Sequence, residues 1–333
     1  MDQKILDETY MRRCLQLAVG GRQESRPNPM VGAVIVSEGR IIGEGYHIRC
    51  GEGHAEVNAF ASVKPSDEAL LPQATIYVSL EPCAHYGKTP PCCDLIIRKG
   101  VRRVVVGCVD DFAKVQGRGI QRMREAGIEV TVGVLEKECR WLNRRFFTFH
   151  HERRPYVILK WAQTGDGFID RGGQPLAIST PLTSMLVHKL RAEEDAIVVG
   201  RVTYDREHPQ LNVRHWSGRN PVRFVLTSGA DTVFSDGKAD GWQVAAGVDD
   251  LLQKCYEQQL QSLIVEGGRQ TLQSFLDRGL WDEIRVETGK PLTEKGAEES
   301  LSSSTPAPVV PSDAVLLHTS CFDGNRIDYF TRR

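Results

Sequence analysis

The chain has 333 residues, 41% of them hydrophobic and 26% charged, with a formal net charge of −1. That length predicts about two domains, each able to close its own core, and the balanced charge removes the electrostatic case for nucleic acid as the main partner. Nine cysteines, an odd number scattered along the chain, speak for reduced thiols rather than a disulfide framework; Met1-Asp2-Gln3-Lys4 starts no signal peptide and no apolar run approaches ~18 residues, so a cytoplasmic protein without a membrane partner is expected.

Thr9 to Val19 reads as an amphipathic helix, with Met11, Leu15, Leu17 and Ala18 apolar among charged neighbours. Pro27-Asn28-Pro29 forces extended or turned backbone. Val31 to Val36 is a buried-type strand, Glu38-Gly39 a hairpin turn, and Arg40 to Tyr46 the returning partner. A helix opens at His54-Ala55-Glu56. The strand 75–80 follows, then a helix through Ile96 to Lys99 whose start is flanked by Cys83 and Cys92. Gly117-Arg118-Gly119 reads as a loop. Val101 to Cys108 and Ile128 to Val134 supply two more strands around a helix at Ile120 to Ala126. The charge-rich text from Leu142 to Pro155 reads as a helix end and linker, which puts a boundary near 150.

The stretch from Cys50 to Cys93 carries the first chemistry. One imidazole and two thiolates are a sufficient ligand set for a catalytic zinc, with a fourth position left for water. A carboxylate two residues from the histidine can stand beside the metal and shuttle protons. Zinc nucleobase deaminases carry H-x-E followed by P-C-x-x-C. Here His54-Ala55-Glu56 and Pro82-Cys83 fit, but the second cysteine, Cys92, lies nine residues on. Helix N-termini at these positions would favour thiolate over thiol. Cys93 is expected on a helix face, and Cys50, close to His54, is the competing ligand.

Wider text, Pro27-Asn28-Pro29, Gly45-Tyr46-His47 and Glu81-Pro82-Cys83 through Gly87-Lys88-Thr89-Pro90-Pro91-Cys92, resembles the deaminase half of the RibD/RibG family of bifunctional riboflavin-pathway enzymes, over roughly residues 8 to 145. The resemblance implies a three-layer α/β/α cytidine-deaminase-like domain over 1–150. It implies zinc on His54, Cys83 and Cys92, Glu56 as proton shuttle, and Asn28, His47 and Lys88 as substrate contacts. Asn28 can offer both donor and acceptor to a pyrimidine edge.

Beyond 150 the chain restarts with the strand Tyr156 to Trp161. Strand-like runs 196–199, 222–226, 263–265 and 284–286 alternate with helical stretches 181–192, 250–259 and 271–278, which predicts a mostly parallel α/β sheet. Lys160-x-Ala162-x-Thr164-x-Asp166-Gly167, Leu190-Arg191-Ala192, Pro209-x-Leu211-x-Val213-Arg214 and Glu266-Gly267-Gly268 resemble the reductase half of the same family. That implies a dihydrofolate-reductase-like fold over 151–333 using NADPH. Gly267-Gly268, after a buried strand and before a helix, lets backbone N–H groups approach a pyrophosphate. By the resemblance Ala162, Thr203, Glu207, Ser228, Gly268, Arg269, Gln270, Thr271 and Leu272 lie on the nucleotide side. Arg191, Leu211, Arg214 and Glu266 lie on the substrate side, with Arg191 and Arg214 as a phosphate clamp. Lys160 and Glu266 are the candidates for proton handling.

Glu207-His208-Pro209 stands where the family usually has an acidic residue followed by Asp or Asn before the proline. The Ser/Thr/Pro-rich stretch Glu299 to Ser312, where the family text is lost, is expected to be mobile. The resulting expectation is a zinc- and NADPH-dependent enzyme acting on a pyrimidine ribosyl phosphate as a homo-oligomer. The competing readings are a deaminase with a non-catalytic second domain and a nucleic-acid base deaminase.

Overall fold

The computed structural model describes residues 2–86, 90–110, 117–227, 241–291 and 303–332. The chain divides into two compact units, Met1–His151 and Glu152–Arg333. In the first, α1 (Gln3–Ala18) precedes the hairpin β1 (Gly32–Ser37) and β2 (Arg40–Tyr46). Then come α2 (Ala55–Ala61), a 3-10 stretch over Pro65–Gln73, β3 (Thr75–Leu80), α3 (Cys92–Lys99), β4 (Arg103–Cys108), α4 (Arg118–Glu125), β5 (Glu129–Val132), α5 (Glu136–Leu142) and α6 (Arg144–Glu152). The sheet order is β2-β1-β3-β4-β5. β1 runs antiparallel to both its neighbours, and β3, β4 and β5 are parallel.

Every residue of β1 is buried, which is why Gly32 to Val36 reads as a continuous apolar run rather than an alternating one. Ala55, Ala59 and Phe60 of α2, with residues of α3 and α4, close one face. Met11 and Cys14 of α1, with Cys139 and Phe147 of α5 and α6, close the other. Three layers result, as the resemblance implied. Helix α2 lies almost on the backbone of β2, since a Cβ at Gly45 would stand 2.5 Å from the Ala59 nitrogen. Only glycine permits that approach, and it brings the start of α2 against the end of β2.

Two expectations shift. α1 begins six residues early because the Asp2 carboxylate accepts the Lys4 N–H at 3.1 Å, an N-cap. The charge-rich linker expected over 142–155 is largely the helix α6, whose Phe147 and Phe149 are buried beneath the charged residues. Charge density marked its solvent face, not an absence of structure.

The second unit runs β6 (Tyr156–Gln163), the short pair β7 (Asp170–Arg171) and β8 (Gln174–Pro175), α7 (Pro181–Glu193), β9 (Ala196–Gly200), α8 (Arg201–Glu207), β10 (Val222–Leu226), β11 (Trp242–Ala245), α9 (Val248–Glu257), β12 (Ser262–Val265), α10 (Arg269–Asp277), β13 (Glu283–Thr288) and the hairpin β14 (Val315–Phe322) and β15 (Asn325–Thr331). Its eight-stranded sheet has the order β11-β10-β9-β12-β6-β13-β15-β14. The first six strands are parallel, β15 adds antiparallel to β13, and β14 adds antiparallel to β15. Residues 303–312 are held in place: Thr305 N–H donates to Asp170 at 2.8 Å, Ala307 N–H donates to the Gly167 carbonyl at 2.8 Å, and Val310 packs on the core. The expected mobility does not extend to that part of the stretch.

A buried ion pair staples α1 to β4. Arg103 Nη1 and Nη2 each donate to Asp7 at 2.8 Å, and the Tyr77 hydroxyl donates to Asp7 at 3.0 Å. Burial alone would raise the Asp7 carboxyl, but these donors outweigh it and hold it below its ordinary value. A folded-state value below the unfolded one gives stability that is present at neutral pH and lost as pH falls through the folded value. Asp7→Asn is therefore expected to cost about 3 kcal/mol at pH 7, by leaving the Arg103 guanidinium with only the exposed Glu129 as counter-charge, 3.1 Å from its Nε. Denaturant midpoints should show the gap between wild type and variant narrowing below about pH 4.

Candidate functional site

His54 is the N-cap of α2, and Cys92 is the first residue of α3. Cys83 lies on the connection between β3 and α3. His54 Nδ1 stands 3.6 Å from Cys83 Sγ and 3.3 Å from Cys92 Sγ, and all three ligand atoms lie within 4.8 Å of one another. Zn–S bonds of ~2.3 Å and Zn–N bonds of ~2.0 Å at the tetrahedral angle give N···S edges of about 3.5 Å, so this donor set fits a zinc ion. Cys50 is exposed and outside the cluster, and Cys93 is buried on α3.

The donors are electrostatically prepared. Hydrogen bonding from Cys92, then from His54 and the Cys92 backbone N–H, holds Cys83 well below the ordinary thiol value. The Cys83 thiolate and burial push Cys92 upward. Glu56, in the first turn of α2 and only 3% exposed, is pushed up to about 7, by burial first and by Cys83 second. Its carboxylate thus lies beside the ligands without being one of them.

The loop ahead of Cys83 is held by Glu81. Its two buried oxygens accept the backbone N–H groups of Gly117 (2.9 Å), Gly119 (3.0 Å), Asp110 (3.4 Å) and Ile120 (3.4 Å). Gly117-Arg118-Gly119, expected as a loop, is instead the cap and first turn of α4. A Cβ at Gly119 would stand 2.2 Å from the Pro82 carbonyl oxygen, so α4 abuts the residue before Cys83.

On the other side of the cluster, His47 is buried and packs edge-on against His54, ring centroids 5.3 Å apart. Its Nδ1–H donates to the Gly53 carbonyl at 3.1 Å, which leaves Nε2 to accept from the Asn28 amide at 3.1 Å. Burial lowers the His47 pKa and keeps the ring neutral. The Asn28 amide oxygen is then the group left to accept from a ring N–H. Asn143, which carried no signal in the sequence, grips the Met30 backbone with both amide atoms at 2.8 Å each and fixes the Asn28 loop. Lys88, expected as a substrate contact, lies outside the described residues.

In the second unit a cavity of about 800 Å³ opens at the C-terminal ends of the parallel strands. It is lined by Lys160, Ala162, Thr203, Glu207, Glu266, Gly268, Arg269, Gln270 and Thr271, all named from the sequence. The starts of α8 and α10 converge on it, at Gly200–Thr203 and Gly267–Thr271, and helix starts of this kind favour phosphate. A Cβ at Gly200 would fall 2.3 Å from Thr271 Oγ1, so the two loops can meet only with glycine there. The sequence reading missed Arg201, Arg206 and Thr227 on the same wall. Arg201 could have been found by treating Gly200, at a strand end before a helix, as Gly267-Gly268 was treated.

Four further residues named from the sequence do not line this cavity. The side chains of Leu272 and Leu211 are packed in apolar clusters, not in the cavity. Arg191 gives its fork to Glu266, Nη2 to Oε2 at 2.8 Å and Nε to Oε1 at 3.2 Å, and its Nη1 donates to the Asn212 carbonyl. It is committed inside the protein rather than offered to a phosphate. Arg214 is exposed and bonded to Asn212, and Ser228 lies outside the described residues.

A sulfur–imidazole metal site in an α/β/α unit, followed by a nucleotide cavity at the strand ends of a parallel sheet, defines a two-centre enzyme that pairs a zinc hydrolase with an oxidoreductase. Residues 4–108 match the cytidine and deoxycytidylate deaminase zinc-binding region, and residues 155–290 match the RibD C-terminal domain. The riboflavin biosynthesis protein RibD of Aquifex aeolicus is 40% identical over 310 residues, which are 84% of this chain and 86% of that one. The crystal structure of a diaminohydroxyphosphoribosylaminopyrimidine deaminase/5-amino-6-(5-phosphoribosylamino)uracil reductase from Thermotoga maritima is 34% identical, with a TM-score of 0.86 and both chains covered in full. Acinetobacter baumannii RibD matches at 28% identity and a TM-score of 0.85, again over the whole of both chains. The chain belongs to the RibD family, bifunctional riboflavin-biosynthesis enzymes that join a zinc-dependent deaminase to an NADPH-dependent reductase.

Glu81 touches no ligand atom, yet it fixes the segment that carries Cys83. Glu81→Ala would orphan four backbone N–H groups and should weaken zinc binding at least tenfold. Competition of the variant and wild-type proteins against a chromogenic chelator reads this directly.

Proposed function

We propose that the first unit hydrolyses the ring amine of 2,5-diamino-6-(5-phosphoribosylamino)pyrimidin-4-one and that the second reduces the ribosyl chain of the product to ribityl. The observation that carries the reading is Glu56, buried beside His54, Cys83 and Cys92 but not among them. Zinc, when bound by those three residues, supplies a water whose pKa is lowered toward neutrality. Glu56 takes one proton of that water and delivers it to the ring nitrogen while the hydroxide adds to the amine-bearing carbon; it then moves the hydroxyl proton of the adduct to the amine, which leaves as ammonia as the carbonyl forms. Its raised pKa suits a group that must both accept and donate near neutral pH. Asn28 orients the pyrimidine edge, with its amide held by neutral His47 and its loop by Asn143. Lys88 is assigned to the substrate phosphate from the resemblance alone.

In the second unit NADPH, when bound, would supply a hydride to C1 of the sugar. Gly200–Thr203 and Gly267–Thr271 hold the dinucleotide, with Arg201, Arg206 and Arg269 as cationic partners for its phosphates. Lys160 Nζ stands 3.9 Å from Glu266 Oε2, and both line the cavity. Lys160 delivers the proton that accompanies ring opening. Burial would raise the Glu266 carboxyl, but Lys160 and Arg191 outweigh it and hold it down to about 2, so it stays ionised and orients the ammonium. With Arg191 committed to Glu266, the substrate phosphate is left to Arg214.

The reading includes a small-molecule substrate, no nucleic-acid or membrane partner, a cytoplasmic location and a homo-oligomer. Balanced charge supports the exclusion of nucleic acid, and scattered cysteines support a reducing compartment. Val315, Leu316 and Leu317, exposed on the edge strand β14, support self-association, since an open apolar edge invites a further strand. Among the described residues no helix is long and apolar enough to cross a membrane.

Glu56→Gln should keep its zinc and lose deamination by at least about 100-fold; elemental analysis with an amine-release assay checks both, and near wild-type turnover would refute the role. Given the deaminated product, the protein should oxidise NADPH in preference to NADH. No NADPH consumption would reduce the second unit to a binding module.

A further inference from the structure

β13 carries an unusual row of side chains. Ile284 and Val286 point into the apolar core, while Glu283, Arg285 and Glu287 occupy the opposite face, and all three are buried. Arg285 is 2% exposed, and neither Nη1 nor Nη2 has a hydrogen-bond partner among the described residues. Its guanidinium lies 5.9 Å from the centre of the Tyr329 ring on β15. Across the other edge of β13, Arg285 pairs in register with Lys160 of β6. Two cations therefore occupy directly paired positions in the interior of one sheet, an arrangement that is destabilising by itself. Lys160 reaches the cavity and Arg285 does not.

We propose that Arg285 is a positioning residue for the reductase, a fixed cation behind Lys160 that loosens the lysine's hold on its proton. The inference rests on the assignment of Lys160 to proton handling. Four charged groups face Lys160: Glu266 after β12, Arg191 from α7, and Arg285 and Glu287 from β13. Burial pushes the Lys160 ammonium below its ordinary value; Glu266 and Glu287 oppose that, and Arg285 and Arg191 add to it. Arg191 is neutralised locally by its two bonds to Glu266. Arg285 has no such partner, so its charge acts on Lys160 with less compensation. A neighbouring cation is an established way to activate a lysine. Glu287 is already engaged, accepting from Ser179 Oγ at 2.9 Å and from Asn325 Nδ2 at 2.8 Å.

The test uses the full chain, with NADPH binding, followed by fluorescence, as the control for folding of the second unit, which carries Arg285. Reductase kcat is measured against pH, at saturating NADPH and deaminated product, for wild type, Arg285→Leu, Arg285→Gln, Arg285→Lys and Lys160→Met. Removing a like charge favours the ammonium, so the ionisation that limits turnover should move to higher pH by about one unit in Arg285→Leu and Arg285→Gln. It should stay in place in Arg285→Lys, which keeps the charge. Lys160→Met should lose at least about 100-fold in reductase kcat. Loss in Lys160→Met with an unshifted profile in Arg285→Gln overturns the role of Arg285 and leaves that of Lys160 standing. Retained turnover in Lys160→Met overturns both. Should Arg285→Leu and Arg285→Gln lose NADPH binding through misfolding, Arg285→Met, which keeps an unbranched side chain without the charge, decides instead: an upward shift of its limiting ionisation relative to wild type supports the proposal, and an unshifted profile overturns it.

Discussion

A strand buried on both faces has no side chain to spare for solvent-facing chemistry, and this constraint arranges most of the molecule. β1, β9 and β12 bury nearly every residue they have. Reactive groups are accordingly displaced to the ends of strands, where the chain turns toward a helix and its backbone N–H groups are unpaired. Glu81 and Cys83 follow β3, Gly200 ends β9, and Glu266-Gly267-Gly268 follow β12. Both centres are built on the same kind of junction, one using it to gather thiolates and the other to gather phosphates.

β6 and β13 are the exception, and the exception is informative. Lys160, Arg285 and Glu287 place charge within the sheet rather than at its end. Such charges are tolerable only when they balance. Glu266, Glu283 and Glu287 equal Lys160, Arg191 and Arg285 in number, and the three carboxylates are hydrogen-bonded, while Nη1 and Nη2 of Arg285 are not. A network of this kind resists rearrangement, because removing one member strands another without water to replace it. The rigidity suits the role in proton handling proposed for Lys160.

The two centres differ in how they are braced. Around the metal ligands the bracing is neutral and local: Glu81 on four amides, His47 between Gly53 and Asn28, Asn143 on Met30. These bonds fix backbone, so the ligand positions do not depend on long flexible side chains. In the second unit the bracing is ionic and direct, and the acid that orients Lys160 is itself held by Arg191.

His54, Glu56, Cys83 and Cys92 could be read from the sequence because their residue types and order are themselves the chemical signal. The parallel sheet of the second unit could be read because strands buried on both sides leave uninterrupted apolar runs. The β14–β15 hairpin escaped notice: β14 is exposed along most of its length and so carries no burial pattern. α6 was taken for a linker because its charged face dominates its composition. What the sequence by itself determined was the set of reacting groups and the alternation of strands and helices. Tertiary structure alone decided which charged residue answers which. Arg191 turns to Glu266, 75 positions away, Asn143 to Met30 across 113, and Arg285 to Lys160 through strand register. Such partnerships arise where distant strands are brought side by side, and no local pattern of residues encodes that adjacency.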